Sequence, residues 1–146
     1  MITHDELVTA MARMRARWGR ADMAFDGCLM DLSDFYLEAL GVDPASAWRG
    51  VYDDEASMYA MLGWRGVLGA VTRAMHDVAW PRIEAGDARI GDLGLIRLES
   101  GDLAGVICAA PGRWLGRTHF GFSIWPTQLG GVPIVCRVWS IGPCRR

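Results

Sequence analysis

The feature that most constrains the fold is the division of this 146-residue chain into two halves with different patterns. Apolar residues recur three and four positions apart as far as Val78, whereas short apolar runs alternate with glycine- and proline-containing turns from Gly91 onward. Helices and strands that are segregated along the chain are typical of α+β domains, because alternating βαβ units build parallel sheets instead. We therefore predict N-terminal helices packed on a small C-terminal antiparallel sheet.

Four helices are predicted in the N-terminal half from their caps and apolar periodicity. The first is predicted to run from its cap at Thr3 to near Gly19, and the second from Cys28 to Gly41. The third begins at Asp53 or Asp54 and reaches Leu62, and the fourth extends from Val67 to Val78. In the second helix Leu32, Phe35 and Tyr36 share an apolar face, and Asp31 is predicted to face away from it.

The C-terminal half predicts a sheet of about four to six strands. Residues 93–98 and 103–110 are expected to form a hairpin, followed by shorter strands at 113–115, 118–124 and 134–139. No internal repeat or low-complexity linker divides the sequence, so we expect one domain over residues 1–146.

Charge and composition exclude several classes of function. The net charge of -2 provides no field that would attract nucleic acid or an anionic membrane. No apolar run approaches the roughly 20 residues of a membrane span, and no signal peptide is recognisable, so we expect synthesis in the cytoplasm. The four cysteines lack C-x-x-C spacing. We expect reduced thiols, with a Cys136–Cys144 pair as the alternative outside a cell, and neither a metal site nor a cofactor.

Cys28 is the candidate nucleophile. It follows Asp26-Gly27 and begins an amphipathic helix, where the helix dipole and free N–H groups favour the thiolate. The alternative is that Cys28 is a small apolar residue that packs the start of the helix.

Several short motifs occur in a characteristic order. They are Trp18-Gly19, Asp26-Gly27-Cys28-Leu29-Met30-Asp31-Leu32, Gly91-Asp92-Leu93-Gly94-Leu95, Gly105-Val106-Ile107 and Ala110-Pro111-Gly112-Arg113-Trp114. With these motifs the chain resembles the NlpC-like cell-wall peptidases of the papain-like superfamily over roughly residues 17–114. It looks closest to the short versions encoded with tail genes of phages and gene transfer agents.

The resemblance implies a papain-like NlpC-type fold and a set of site positions. In that family a cysteine attacks a peptide bond of the peptidoglycan stem, a histidine acts as base, and a polar residue orients the histidine. The nucleophile position matches Cys28, but the base position holds Leu103 and the orienter position falls near Gly116. His119 is the candidate replacement base, and a partly buried strand histidine is the alternative role for it.

The loss of both expected imidazoles favours a structural role, because a cysteine without a base is little ionised near neutral pH. The expected function is a phage or phage-like tail-tip component, a degenerate peptidase assembled into the virion tail. It would dock on tail hub and other tail-tip proteins through surface tryptophans and arginines such as Arg113 and Arg117. The alternatives are an active cysteine peptidase or amidase that uses Cys28 and His119 on peptidoglycan during DNA delivery, and a cytoplasmic domain unrelated to tails.

Overall fold

The computed structural model describes residues 2–19, 27–52, 54–118 and 121–142, and for Gly27, Cys28, Glu55 and Trp64 it describes the backbone alone. Over these residues the fold is mixed α+β, with four α-helices followed by antiparallel strands. The helices are α1 (His4–Trp18), α2 (Gly27–Leu40), α3 (Glu55–Leu62) and α4 (Gly66–Asp77). The strands are β1 (Arg82–Ile83), β2 (Leu93–Arg97), β3 (Leu103–Ala110), β4 (Arg113–Thr118), β5 (Gly121–Pro126), β6 (Gln128–Leu129), β7 (Val132–Pro133) and β8 (Val135–Trp139).

The helix starts follow from local capping. The Thr3 side chain accepts a hydrogen bond from the Glu6 backbone N–H, and the Glu6 carboxylate accepts one from the Thr3 N–H, which confirms the predicted capping box. Asp54, rather than Asp53, caps α3 in the same reciprocal manner with Ser57. Asp53 lies outside the described residues.

The main sheet has six strands in the order β1-β8-β2-β3-β4-β5, and β6 and β7 form a separate hairpin. The predicted β2–β3 hairpin is confirmed, with Leu95 opposite Gly105. β8 lies between β1 and β2. Neither the two-residue strand β1 nor this insertion is predicted by the local pattern, since strand order depends on contacts between distant segments.

The two strands predicted at 113–115 and 118–124 are both present, but their bounds differ from the prediction. β4 continues through Gly116 to Thr118, and β5 begins at Gly121. A Cβ on Gly116 would lie 2.7 Å from the Trp125 ring. Gly116 therefore permits close packing inside a continuous strand and does not mark a turn.

Both faces of the sheet are buried. Leu95, Ile107 and Leu115 belong to the core cluster on the side of the helices. A second cluster on the sheet contains Ile96, Val106, Cys108, Trp114, Val135 and Val138. Trp18, Trp80, Trp114 and Trp139 are at most 8% exposed, so these four side chains belong to the interior and cannot form a docking surface.

Gly91 and Asp92, just before β2, connect three parts of the fold. The Tyr36 hydroxyl on α2 donates a 2.7 Å hydrogen bond to the Gly91 carbonyl. The fully buried Asp92 carboxylate accepts from the backbone N–H groups of Arg89 (2.8 Å) and Ile141 (3.1 Å). These bonds link α2, the start of β2 and the segment after β8. Each of them also satisfies a polar group that is buried away from water.

The buried Tyr36 hydroxyl predicts a loss of stability in alkali. Burial, with the nearby Asp92 and Cys108, raises the pKa of Tyr36 well above its ordinary value. Above about pH 10 the unfolded chain releases this proton while the folded chain retains it, so the free energy of unfolding should fall by about 1.4 kcal/mol per pH unit. We expect Tyr36→Phe to remove this slope in urea unfolding between about pH 9 and pH 11.

Tyr59→Phe is the matched control, because Tyr59 is 53% exposed. It should keep the wild-type slope. Equal slopes for wild type and Tyr36→Phe would contradict the prediction. At neutral pH, Tyr36→Phe should cost about 1 kcal/mol for the lost hydrogen bond.

Candidate functional site

The first turn of α2 is seated directly on β3. A Cβ on Gly105 would lie 2.5 Å from Leu29 Cδ2 and 3.1 Å from Leu32 Cδ1, so the contact requires a residue without a side chain. Further along α2, Tyr36 bonds to Gly91, whose N–H donates to the Cys108 carbonyl. The start of α2 therefore lies over the first half of β3, and α2 continues toward its second half.

This packing positions the backbone of Cys28. It is the second residue of α2, one residue before Leu29. The prediction that this helix opens at Cys28 is correct to within one residue, since α2 begins at Gly27. Position 28 therefore lies in the first turn of α2, at the positive end of the helix dipole.

The position expected for the base is apolar. Leu103 is the first residue of β3 and lies on the same face as Gly105, two residues later. It is half-buried and packs against the helix-side core. Gly116, near the expected orienter position, packs on the Trp125 ring from β4. His119 lies outside the described residues, directly after Thr118, which ends β4.

An ion pair near the start of α2 was not predicted. Arg117 Nη1 on β4 lies 3.3 Å from Asp31 Oδ2 on α2, and the two side chains are 5% and 30% exposed. The Arg117 guanidinium carbon also lies 6.0 Å from the centroid of the Trp18 ring. The expectation that Arg117 is a surface contact residue is therefore wrong, and Asp31, predicted to face away from the apolar face of the helix, is directed at Arg117. Arg117 follows the buried Leu115 by two residues, and this period of two is the signal that places it on the helix side.

The pair carries no net charge, and its guanidinium cannot act as a base. Asp31 is three residues after Cys28, so the pair lies about one helical turn from position 28. A guanidinium has no lone pair that accepts a proton at physiological pH. The Arg117 cation would favour a thiolate at Cys28, whereas the Asp31 carboxylate would oppose it, so the two effects work against each other.

Two other histidines are described. His4 lines a cleft with Ala109, Ala110 and Pro111 at the C-terminal end of β3. Leu103 begins β3, so at about 3.3 Å per residue it lies about 20 Å from this cleft. His76 is 85% exposed and lies 3.6 Å from Asp77 on the last turn of α4. Neither lies in the Arg117–Asp31 cluster.

Two of the other concave regions in the described part of the chain have different linings. An apolar cavity of about 70 Å³ lies between α2, α3 and α4 and includes Met30, Met58, Met61 and Met75. A wider cleft of about 930 Å³ beside β1 and β8 is lined by both signs of charge, from Arg82, Glu84, Asp87 and Arg137. Within the described part of the chain, there is no group of three or more His, Cys, Asp or Glu side chains that could hold a metal ion.

Cys108 and Cys136 are free thiols, and Cys144 lies outside the described residues. Of the helices that the structure describes, none has the length and apolar character needed to span a bilayer.

A family model described as a domain of unknown function (DUF6950) matches residues 3–134. This range contains all of α1 to α4 and the strands β1 to β7, together with Cys28, Asp31, Leu103 and Arg117. A search of the curated proteins finds no match.

Proposed function

The chain belongs to the family described as a domain of unknown function (DUF6950), and from that premise we propose a role that its site geometry supports. We propose that it is a tail-tip component of a phage or phage-like particle, with a degenerate papain-like NlpC-type peptidase fold that docks on tail hub proteins. It would be made in the host cytoplasm and assembled into the virion tail.

The peptidase-like fold is supported by how the resembling motifs meet in space. Gly105 allows α2 to seat its first turn on β3. Gly91 and Asp92 fix the start of β2 against α2. A nucleophile helix lying on a strand that should carry the base is the arrangement that the resemblance implies.

The degenerate site is supported by one observation above all. The base position is occupied by the half-buried Leu103, and the nearest described charged group on β4 is Arg117, bound to Asp31. An aliphatic side chain and a guanidinium cannot accept the thiol proton, and pairing with Arg117 makes the Asp31 carboxylate a weaker base. General-base assistance contributes about 10²–10⁴-fold to such reactions, so its loss would leave little peptidase activity.

The alternative is an active cysteine peptidase or amidase that cleaves peptidoglycan stem peptides during DNA delivery. The retention of Cys28 at the start of a helix favours this alternative. In that case His119, directly after β4, is the first candidate for the base.

The first experiment measures the release of soluble muropeptides from purified peptidoglycan. We expect wild type and Cys28→Ala to release equally little under conditions in which an active peptidase is effective. Release by wild type but not by Cys28→Ala would overturn the degenerate site and support the alternative. His119→Ala would then identify or exclude the replacement base.

A second readout on the same proteins tests the geometry without requiring activity. Leu103→His should place an imidazole beside Cys28 and lower the pKa of its thiol, increasing alkylation near neutral pH by about tenfold. Val8→His, on the exposed part of α1, is the control and should leave alkylation unchanged. Equal rates for the two variants would contradict the proposed fold assignment.

Docking is tested separately by gel filtration with candidate hub proteins of a phage-like tail. Co-elution of wild type and of Cys28→Ala would support a structural role that is independent of the thiol. Separate elution from every hub protein would count against the tail-tip proposal and in favour of a domain unrelated to tails.

A further inference from the structure

β5 is the long outer edge of the main sheet. The sheet ends in β1 on one side and β5 on the other, and β1 has only two residues while β5 has six. Exposed strand edges present unpaired N–H and C=O groups that can pair with another chain. Only the β5 edge, within the part of the sheet that the structure describes, is long enough for such pairing.

The register of the β4–β5 hairpin identifies the outward groups. Thr118 is opposite Gly121 with two residues between them, and such a closing pair must exchange its own hydrogen bonds. The bonding alternates along the strand, so the N–H and C=O groups of Phe122 and Ile124 point away from β4. In the described residues no backbone hydrogen bond is made to these outward groups.

The strand itself lacks the residues that usually prevent pairing, although the Arg15 guanidinium on α1 lies 5.0 Å from the centroid of the Phe122 ring. The strand sequence is Gly-Phe-Ser-Ile-Trp-Pro, with no charged residue and with proline only at its end. Natural edge strands are commonly protected by lysine, by proline within the strand, by bulges or by very short length. β1 has that protection because of its length, and β5 does not.

The side chains of Phe122 and Ile124 on this edge are apolar, and they would complement the same two side chains of a second copy. Phe122 and Ile124 are 37% and 47% exposed and lie on one face, two residues apart. In an antiparallel pair of two β5 strands centred on Ser123, each Phe122 lies opposite the Ile124 of the other copy. An aromatic residue opposite a β-branched residue is a favourable cross-strand pair, and an uncharged strand places no like charges opposite each other.

We propose that β5 is an assembly edge that pairs antiparallel with β5 of a second copy of this chain, which joins the two sheets about a two-fold axis. Each Phe122–Ile124 pair would exchange two main-chain hydrogen bonds, and the symmetry repeats the pair. This inference does not depend on the proposed tail role or on the state of Cys28.

The contact is small. The exposed parts of Phe122 and Ile124 together provide on the order of 150 Å² of apolar surface, whereas stable complexes bury about 800 Å² on each partner. A second copy should therefore bind weakly and reversibly. The test must extend to high protein concentration.

The experiment is sedimentation equilibrium of the whole chain from about 10 µM to about 1 mM. We expect the average mass of wild type to rise with concentration from 16.1 kDa toward twice that value. Ile124→Pro removes an outward N–H and leaves the bonds to β4 intact, so it should remain a folded monomer with dimerisation at least about tenfold weaker. Wild type that stays monomeric, or a folded Ile124→Pro that dimerises equally well, would overturn the proposal.

A charge pair provides a second test that does not require proline. Ile124→Lys and Ile124→Glu should each be monomeric, because like charges approach across the two-fold axis. An equimolar mixture should recover the dimer, since the opposite charges then attract. If either variant dimerises alone as wild type does, or if the mixture stays monomeric while wild type dimerises, β5 is not the interface.

Discussion

Gly91→Ala should lower the free energy of unfolding by about 3–5 kcal/mol, the largest effect that we expect from a single methyl group in this protein. Gly91 has a φ of +91°, and a Cβ there would lie 2.8 Å from side-chain atoms of both Leu7 and Ile141. The substitution therefore adds backbone strain and overpacks the contact between α1 and the segment after β8. Urea unfolding followed by circular dichroism measures the change.

Gly101→Ala separates the two contributions. Gly101 has a φ of +89°, almost the same as Gly91, but a Cβ there would meet no atom within 4 Å beyond its own chain neighbours. It should cost only the strain of a left-handed backbone, about 1–2 kcal/mol. If the two variants were equally destabilised, the packing of Leu7 and Ile141 on Gly91 would have no energetic importance.

Asp31→Leu should destabilise the fold by about 2–3 kcal/mol, because it removes a carboxylate from a guanidinium that is only 5% exposed. Arg117→Met should cost less, about 1–2 kcal/mol, since Asp31 is 30% exposed and can regain water. These different costs follow from the unequal burial of the two partners.

The double variant Asp31→Leu, Arg117→Met should recover most of the loss and unfold within about 1 kcal/mol of wild type. An apolar pair of similar size carries no desolvation cost in this position. A double-mutant cycle from urea unfolding gives the coupling free energy. Strict additivity of the two single changes would mean that the ion pair does not couple α2 to β4.

The elements with strong local signals could be predicted from the sequence. The capping box at Thr3, the apolar face of α2 and the turn between β2 and β3 each depend on residues that are neighbours in the chain. The end of β4 could not be predicted from Gly116, because a glycine in a strand has the same local pattern whether it breaks the strand or admits a ring such as that of Trp125.

The candidate site was predictable only in part. The helix start at Cys28 has a local signal, whereas the contact of Leu29 with Gly105 joins residues far apart in sequence. The Arg117–Asp31 pair joins residues far apart in sequence, and Asp31 alone resembles any polar residue beside an apolar helix face. Only the alternation of Arg117 with Leu115 indicated that its side chain turns inward.

The place of β8 between β1 and β2 has a consequence for the order of folding. Arg82 of β1 pairs with Trp139, and Leu93 of β2 pairs with the same residue on its other side. A chain emerging from the ribosome can form α1, α2 and the β2–β3–β4–β5 meander, but β1 has no neighbour until residue 139 has been made. Contacts of such long sequence separation form slowly. The completed sheet is therefore expected to form late, with β2 exposing an open edge until β8 inserts.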